Sequence, residues 1–116
     1  MSLGSATRDT DQVVSILGRE VHVRRVGVGG DLRRARELVA SLDGKVHAFG
    51  LGGIDLYVSV RGRRYYFKDA VSIARAAKRT PVVCGAGLKD SLERVTVQAL
   101  EPRIDLAAKD VLMVSA

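Results

Sequence analysis

The sequence has few residues that could cross-link the chain or anchor it. Cys84 is the single cysteine, so no internal disulfide can form. His22 and His47 lie far apart in sequence and do not suggest a zinc-ligand set. No apolar run approaches the roughly 18 residues that span a bilayer, and the N-terminus lacks the basic start and apolar stretch of a secretory signal. We therefore expect a cytoplasmic protein with no metal and no membrane partner.

What is present is typical of a folded domain. Of the 116 residues, 47% are apolar and 28% are charged, which argues against disorder and predicts one domain over residues 1–116. The formal net charge is +6. A basic chain favours an anionic partner, such as nucleic acid, a phosphorylated cofactor or a carboxylate metabolite. Charge alone does not choose among these partners.

Strand-like and helix-like segments alternate along the chain. Residues 13–17 with 20–26, and 56–60 with 63–67, predict β-hairpins about two-residue turns. Helical spacing predicts helices from Leu32 to Leu42 after Asp31, from Asp69 to Thr80, and from about Lys89 to Leu100. Apolar strands are expected at 45–49, 81–84 and 111–114. This alternation predicts an α/β fold with a mainly parallel, Rossmann-like sheet flanked by helices, with one or two β-hairpins. Both ends look trimmed, so we expect the N-terminal domain of a longer protein.

Glycines follow the predicted strands repeatedly. In a parallel sheet these loops lie at one edge, where backbone amides can hold a phosphate or a carboxylate. The glycines concerned are Gly4; Gly27, Gly29 and Gly30; Gly50, Gly52 and Gly53; and Gly85 and Gly87. No loop matches G-x-G-x-x-G, because Leu32, Asp55 or Asp90 replaces the third glycine, and no phosphate-loop G-K-S or G-K-T occurs. A nucleotide cofactor is therefore expected outside these residues.

Polar residues beside the glycines are the candidates for chemistry. Ser5 and Arg8 could hold a carboxylate through a hydroxyl and a guanidinium group. Lys89, predicted at a helix start, could act as an acid or base with Asp55 or Asp90 as its carboxylate partner. The alternatives are a frayed terminus for the first loop and a solvated first-turn lysine for Lys89.

The segment from Arg61 to Lys68 interleaves basic and aromatic residues, as nucleic-acid contact surfaces do. Alternation on a hairpin explains the pattern more simply. Tyr65 and Phe67 would then pack, while Arg64, Tyr66 and Lys68 face water. On this interpretation a nucleic-acid partner is not expected.

Several motifs together resemble one family. They are Ser2-Leu3-Gly4-Ser5, Gly30-Asp31, the run from Phe49 to Tyr57, Arg63-Arg64-Tyr65-Tyr66, Thr80-Pro81-Val82-Val83, Gly85-Ala86-Gly87-Leu88-Lys89 and the run from Val111 to Ala116. In that order they are similar to the N-terminal part of bacterial quinate 5-dehydrogenases. The resemblance implies oxidation of quinate or a related cyclic carboxylate by NAD or NADP. It also implies a lysine and an aspartate for the hydroxyl proton and serines for the carboxylate.

Two functions stay open from the sequence. The first is the substrate-side domain of an NAD(P)-dependent quinate or shikimate dehydrogenase, inactive as a fragment. Its substrate site would include Ser5, Arg8, Gly50, Gly52, Gly53, Gly85 and Gly87, with Lys89 and Asp55 as catalytic residues. The second is a non-enzymatic α/β module that binds a phosphorylated or carboxylate metabolite through the glycine-rich loops. A homodimer is compatible with either function.

Overall fold

The computed structural model of the chain describes residues 1–100 and 102–110. They fall into two compact units, Met1–Ala86 and Gly87–Ala116. No helix in the described part of the chain is long and apolar enough to cross a bilayer.

The first unit contains six short strands and two longer helices. A 3-10 turn at Ala6–Arg8 precedes the hairpin of β1 (Thr10–Ile16) and β2 (Arg19–Arg25), and helix α1 (Leu32–Leu42) follows. Next come β3 (Phe49–Leu51), the hairpin of β4 (Tyr57–Val60) and β5 (Arg63–Tyr66), helix α2 (Lys68–Ala74) and β6 (Val82–Cys84). Both predicted hairpins and the first predicted helix are confirmed.

Helix α1 forms where its sequence predicts it. The carboxylate of Asp31 accepts a hydrogen bond from the backbone N–H of Arg34 at 2.9 Å, which satisfies one of the free amides at the helix start. Apolar residues then recur at helical spacing, and Ala35 and Val39 are completely buried. These two residues turn one face of α1 into the core of the first unit.

The core is a single cluster of small and medium-sized apolar side chains. Val39 and Ile73 are its largest fully buried members. Each such side chain contributes about 1.5–3 kcal/mol by leaving water. The buried members of the cluster are Val28, Ala35, Val39, Phe49, Leu51 and Ile73.

The prediction of a mainly parallel, Rossmann-like sheet is wrong. The described residues form three two-stranded sheets, of which β1–β2 and β4–β5 are antiparallel. Only β3 and β6 pair in parallel, over three residue pairs. Most of the β-forming residues belong to the hairpins, and the strands that enter the glycine loops are too short for an extended sheet. Isolated parallel bridges join Ser2 to Gly27 and to Gly52.

The strand predicted at 45–49 also differs, since β3 begins only at Phe49. The backbone N–H of Lys45 donates to the carbonyl of Leu42 at 2.9 Å. The carbonyl of Val46 accepts from the hydroxyl of Thr80 at 3.4 Å. These polar groups are therefore used in loop contacts and do not enter a strand ladder.

Helix α2 ends earlier than predicted, at Ala74 instead of near Thr80. The carboxylate of Asp43 accepts from the backbone N–H groups of Lys78 at 2.8 Å, Arg79 at 3.0 Å and Thr80 at 2.8 Å. Three amides that could have extended the helix are thereby held at the end of α1. These hydrogen bonds, with that from Lys78 the largest cause, lower the pKa of Asp43 to about 2.

The second unit begins with a series of helical segments. The helical turn α3 (Ala86–Leu88) starts at the unit boundary and is followed by a π-helical segment (Lys89–Glu93) and helix α4 (Arg94–Leu100). The helix predicted to Leu100 is thus confirmed, but the apolar residues whose helical spacing predicted it are not buried. Leu88, Leu92 and Val95 are each more than half exposed, and Ala99 is exposed as well. The strand predicted at 111–114 lies outside the described residues.

Candidate anion-binding site

Three of the glycine-rich loops meet around the first residues of the chain. Ser2 lies between the two other segments: its N–H donates to Val26 O at 2.8 Å, and its carbonyl accepts from Val28 N at 2.9 Å. On the other side, Leu3 N donates to Gly52 O at 2.8 Å. Because all these bridges are parallel, the three loops emerge at the same edge. The predicted convergence is confirmed for these loops.

Arg25 is fixed at this edge by three neighbours. Its Nη1 atom donates to Asp9 Oδ1 at 3.0 Å and to Ser5 O at 3.1 Å, and its Nη2 atom donates to Ser2 Oγ at 3.0 Å. The Arg25 side chain is 26% exposed and that of Asp9 36%. Asp9 also accepts from Gly27 N at 2.5 Å. Arg25 is thus held in one orientation while part of its guanidinium group stays open to solvent.

Glycine is required where the loops approach most closely. A Cβ atom at Gly27 would lie 2.4 Å from Ser5 O and 2.7 Å from Gly4 O, both backbone atoms that cannot swing away. A Cβ atom at Gly4 would lie 2.8 Å from Arg8 Nη2 and 3.1 Å from Arg25 Nη2. Gly4 therefore lies directly beneath two guanidinium groups.

Arg8 is the less restrained of these two cations. It is the last residue of the 3-10 turn and is exposed, and within the described residues its side chain has neither a hydrogen-bond nor an ion-pair partner. Ser5 begins the same turn, and its Oγ accepts from Thr7 N at 3.1 Å and lies 2.9 Å from Thr7 Oγ1. The turn places a guanidinium group and a hydroxyl on one short loop, as predicted for Ser5 and Arg8.

Five amides of the converging glycines are already engaged within the protein. Their acceptors are protein oxygen atoms at 2.5–3.1 Å. The five bonds are Gly4 N to Ser2 Oγ, Gly27 N to Asp9 Oδ1, Gly29 N to Gly4 O, Gly30 N to Leu3 O, and Gly52 N to Met1 O. An anion at this edge would consequently be bound by guanidinium groups and not by these amides, which hold the loops together.

Comparison with known proteins identifies the family of the chain. The family model described as Domain of unknown function (DUF8753) matches residues 1–84. The chain belongs to this family. No curated protein and no solved structure matches it significantly. The match to quinate 5-dehydrogenases expected from the motifs therefore stays a prediction.

The DUF8753 match contains the whole cluster of Ser2, Ser5, Arg8, Asp9 and Arg25. It nearly coincides with the first compact unit. The site and the core that supports it therefore belong to the part of the chain that defines the family.

The predicted catalytic residues are divided between the two units. Asp55 is half-buried in the first unit, within the DUF8753 match, and follows the loop that leaves β3. Lys89 is exposed in the second unit, where it begins the π-helical segment, and lies beyond the match. Their joint role stays a prediction.

The remaining predicted glycines lie in or after β3 and after β6. Gly50 lies within β3, and Gly53 has φ +68 with Gly4 N only 3.1 Å from where its Cβ would be. Gly85 follows Cys84, which is paired in parallel with Leu51, so it leaves the first unit at the same edge. Gly87 lies in the second unit, and its carbonyl accepts from Ser91 Oγ at 2.8 Å.

Ser2 and Arg25 were not predicted from the sequence as site residues. Arg25 ends a hairpin strand, and no motif marks it; the one signal is its position two residues before the glycine loop that begins at Gly27. An open depression of about 250 Å³ lies against the same residue at the base of β1–β2. Its lining also includes Asp9 and Asp11, so it is less suited to an anion than the side facing Arg8. Among the described residues, no three His, Cys, Asp or Glu side chains come together as a metal site.

Proposed function

We propose that this DUF8753 domain binds a small carboxylate metabolite at the edge formed by Gly4, Arg8 and Arg25. The observation that supports the proposal is the pair of guanidinium groups above Gly4, one of which has no partner among the described residues. Guanidinium groups recognise carboxylates through paired, charge-assisted hydrogen bonds. Ser5, on the same turn, supplies a hydroxyl near the bound group.

The local charge favours a monoanion over a phosphate dianion. Asp9 pairs with Arg25 at 3.0 Å and offsets one of the two positive charges. The side chains of Arg8, Arg25 and Asp9 together therefore carry a net charge close to +1, which a carboxylate balances. Two cations held this close repel each other, and an anion between them relieves that repulsion.

The substrate class follows from the sequence resemblance. In this proposal the carboxylate belongs to quinate or a related cyclic hydroxy acid, and the domain forms the substrate side of an NAD(P)-dependent dehydrogenase in the cytoplasm. Lys89 and Asp55 would handle the hydroxyl proton, and the nicotinamide cofactor would bind mainly outside these residues. A binding domain without catalysis stays the alternative, because the carboxylate site requires only the first unit.

Binding can be measured by calorimetry with quinate, quinate methyl ester and inorganic phosphate. We expect quinate to bind and the ester to bind at least tenfold more weakly, because the ester has no charge. Arg8→Ala should weaken quinate binding by about 10- to 100-fold, since a hydrogen bond to a charged group contributes about 1.5–3 kcal/mol. Arg34→Ala removes an exposed arginine from α1 and is the matched control. Equal binding by quinate and its ester, or by both variants, would refute the carboxylate site.

Catalysis needs a separate measurement. We expect the intact protein that contains this domain, and not residues 1–116 alone, to reduce NAD or NADP when quinate is added, and Lys89→Ala in the intact protein to abolish that turnover while quinate binding is kept. Turnover that is unchanged in Lys89→Ala would remove Lys89 from the mechanism. Quinate binding without any reduction of either cofactor would favour the non-enzymatic alternative.

A further inference from the structure

The hairpin β4–β5 presents basic and aromatic side chains on both of its faces. The antiparallel register pairs Tyr57 with Tyr66 and Val58 with Tyr65. Paired residues share a face, so Tyr57, Tyr66 and Arg64 lie on one side, and Tyr65 and Arg63 on the other. Each face of the hairpin thus carries tyrosine and arginine together.

Contacts between the side chains agree with this arrangement. The rings of Tyr57 and Tyr66 have centroids 5.6 Å apart at an interplanar angle of 56°. The guanidinium carbon of Arg64 lies 4.6 Å from the centroid of Tyr57, and that of Arg63 lies 5.9 Å from the centroid of Tyr65. Each of these two arginines therefore lies over the face of a tyrosine ring, in cation–π contact with it.

These aromatic side chains are not part of the core. From the sequence, Tyr65 and Phe67 were expected to pack against the rest of the protein. In the structure Tyr65 is 51% exposed, Tyr66 56% and Phe67 48%. Every residue of β5 is exposed. The explanation by simple alternation is therefore wrong, because neither face of β5 is buried. Exposing rings of this size to water is unfavourable in free energy, and a partner that covers them would remove that penalty.

The hairpin is also a concentrated positive patch. From Leu56 to Lys68 the sequence has four basic residues, Arg61, Arg63, Arg64 and Lys68, and no acidic residue. Among the described residues none of the four forms an ion pair. The turn residues Arg61 and Gly62 both have positive φ, so the hairpin is tight and presents its charges close together.

We infer that hairpin β4–β5 binds single-stranded nucleic acid. Phosphates would contact the arginines, and bases would stack on the exposed tyrosine rings, the combination that single-strand binding surfaces use. A charged surface without rings would serve any polyanion equally. The exposed rings favour a polyanion that carries flat bases, and duplex bases are already stacked and not available. This surface is distinct from the carboxylate site at Arg8.

The chain contains a built-in reporter for this contact. It has three tyrosines, Tyr57, Tyr65 and Tyr66, and no tryptophan. Intrinsic fluorescence therefore comes from this hairpin alone. After correction for absorbance, we expect oligo-uridylate and oligo-thymidylate to quench it saturably, and heparin, a polyanion without bases, to leave it largely unchanged. Equal quenching by heparin, or none by either oligonucleotide, would overturn the inference.

Affinity can be measured in parallel by fluorescence anisotropy of labelled oligonucleotides. The logarithm of the binding constant should fall with the logarithm of salt by about 0.7 per phosphate contact. Arg63→Ala with Arg64→Ala should weaken binding at least tenfold and reduce the slope by about 1.4. Arg34→Ala with Arg75→Ala removes the same charge from two exposed positions, one in α1 and one directly after α2, and should change binding far less.

Two further arms separate stacking from charge and from folding effects. Tyr65→Leu should weaken single-strand binding roughly tenfold while leaving heparin binding unchanged. Duplex DNA or anionic vesicles bound as tightly as single strands would overturn the inference. If the double arginine variant loses its circular dichroism signal, the comparison of oligonucleotide and heparin quenching on the unchanged protein decides.

Discussion

At the scale of single residues, Asp43 joins the end of α1 to the loop that follows α2. Its carboxylate accepts hydrogen bonds from the backbone N–H groups of residues 78–80. In the opposite direction, the backbone N–H of Gly44 donates to Thr80 Oγ1 at 2.7 Å. The pKa of Asp43 is lowered from 3.8 to about 2 by these donors. Its ionised form is therefore favoured by folding.

This lowered pKa predicts a defined acid sensitivity. Because the folded pKa lies below the unfolded one, the stability contributed by Asp43 is complete above about pH 4 and is lost as the pH falls towards 2. We expect Asp43→Asn to unfold more easily than the parent at neutral pH, with the difference shrinking across that window. Chemical denaturation at several pH values measures it, with Glu20→Gln on the exposed hairpin as control. A difference that stays constant between pH 5 and pH 2 would contradict this role.

Residue roles were predicted unevenly from the sequence. Ser5 and Arg8 were identified because a hydroxyl and a cation follow Gly4 closely. Arg25 was missed, since its contacts with Ser2 and Asp9 join positions more than fifteen residues apart and depend on a hairpin between them. The glycine loops were predicted, but the hydrogen bonds of their amides to other parts of the protein were not. Acceptors such as Leu3 O are brought close only by the fold.

At the scale of elements, local signals predicted what local interactions determine. A glycine in each turn indicated both hairpins. The first turn lies at Leu17 (φ 52) and Gly18 (φ 74), one residue before the predicted Gly18 and Arg19, and the second lies at Arg61 and Gly62, as predicted. The cap at Asp31 and the apolar spacing indicated α1. The early end of α2 was not predictable, because the amides of residues 78–80 bond to Asp43, in another part of the sequence.

The prediction of a mainly parallel sheet was wrong for a related reason. Alternating strands and helices usually indicate βαβ units, and the segments that enter the glycine loops do run parallel. However, each contributes only a few residues, and the longest strands, β1 and β2, pair with each other outside the core. Strand order and strand length depend on which segments meet, and a single sequence does not contain that information.

At the scale of the whole molecule, stability is concentrated in the first unit. All six buried members of the core cluster, and every half-buried side chain packed on it, lie between Met1 and Cys84. The DUF8753 match ends at the same residue. In the second unit, Leu88, Leu92, Val95 and Val97 are each more than half exposed. The described members of the core cluster therefore all belong to the first unit.

This distribution predicts that residues 1–86 fold on their own. A chain that ends at Ala86 should unfold cooperatively, with a midpoint within a few degrees of the parent chain, because it keeps every buried side chain of the cluster. Thermal denaturation followed by circular dichroism measures the midpoint, and amide exchange shows whether α1 and α2 keep their protection. The matched control ends at Thr80, which removes β6 and with it Val82 and Cys84 from the core. A non-cooperative transition in both chains would show that residues after Ala86 are needed for the core to form.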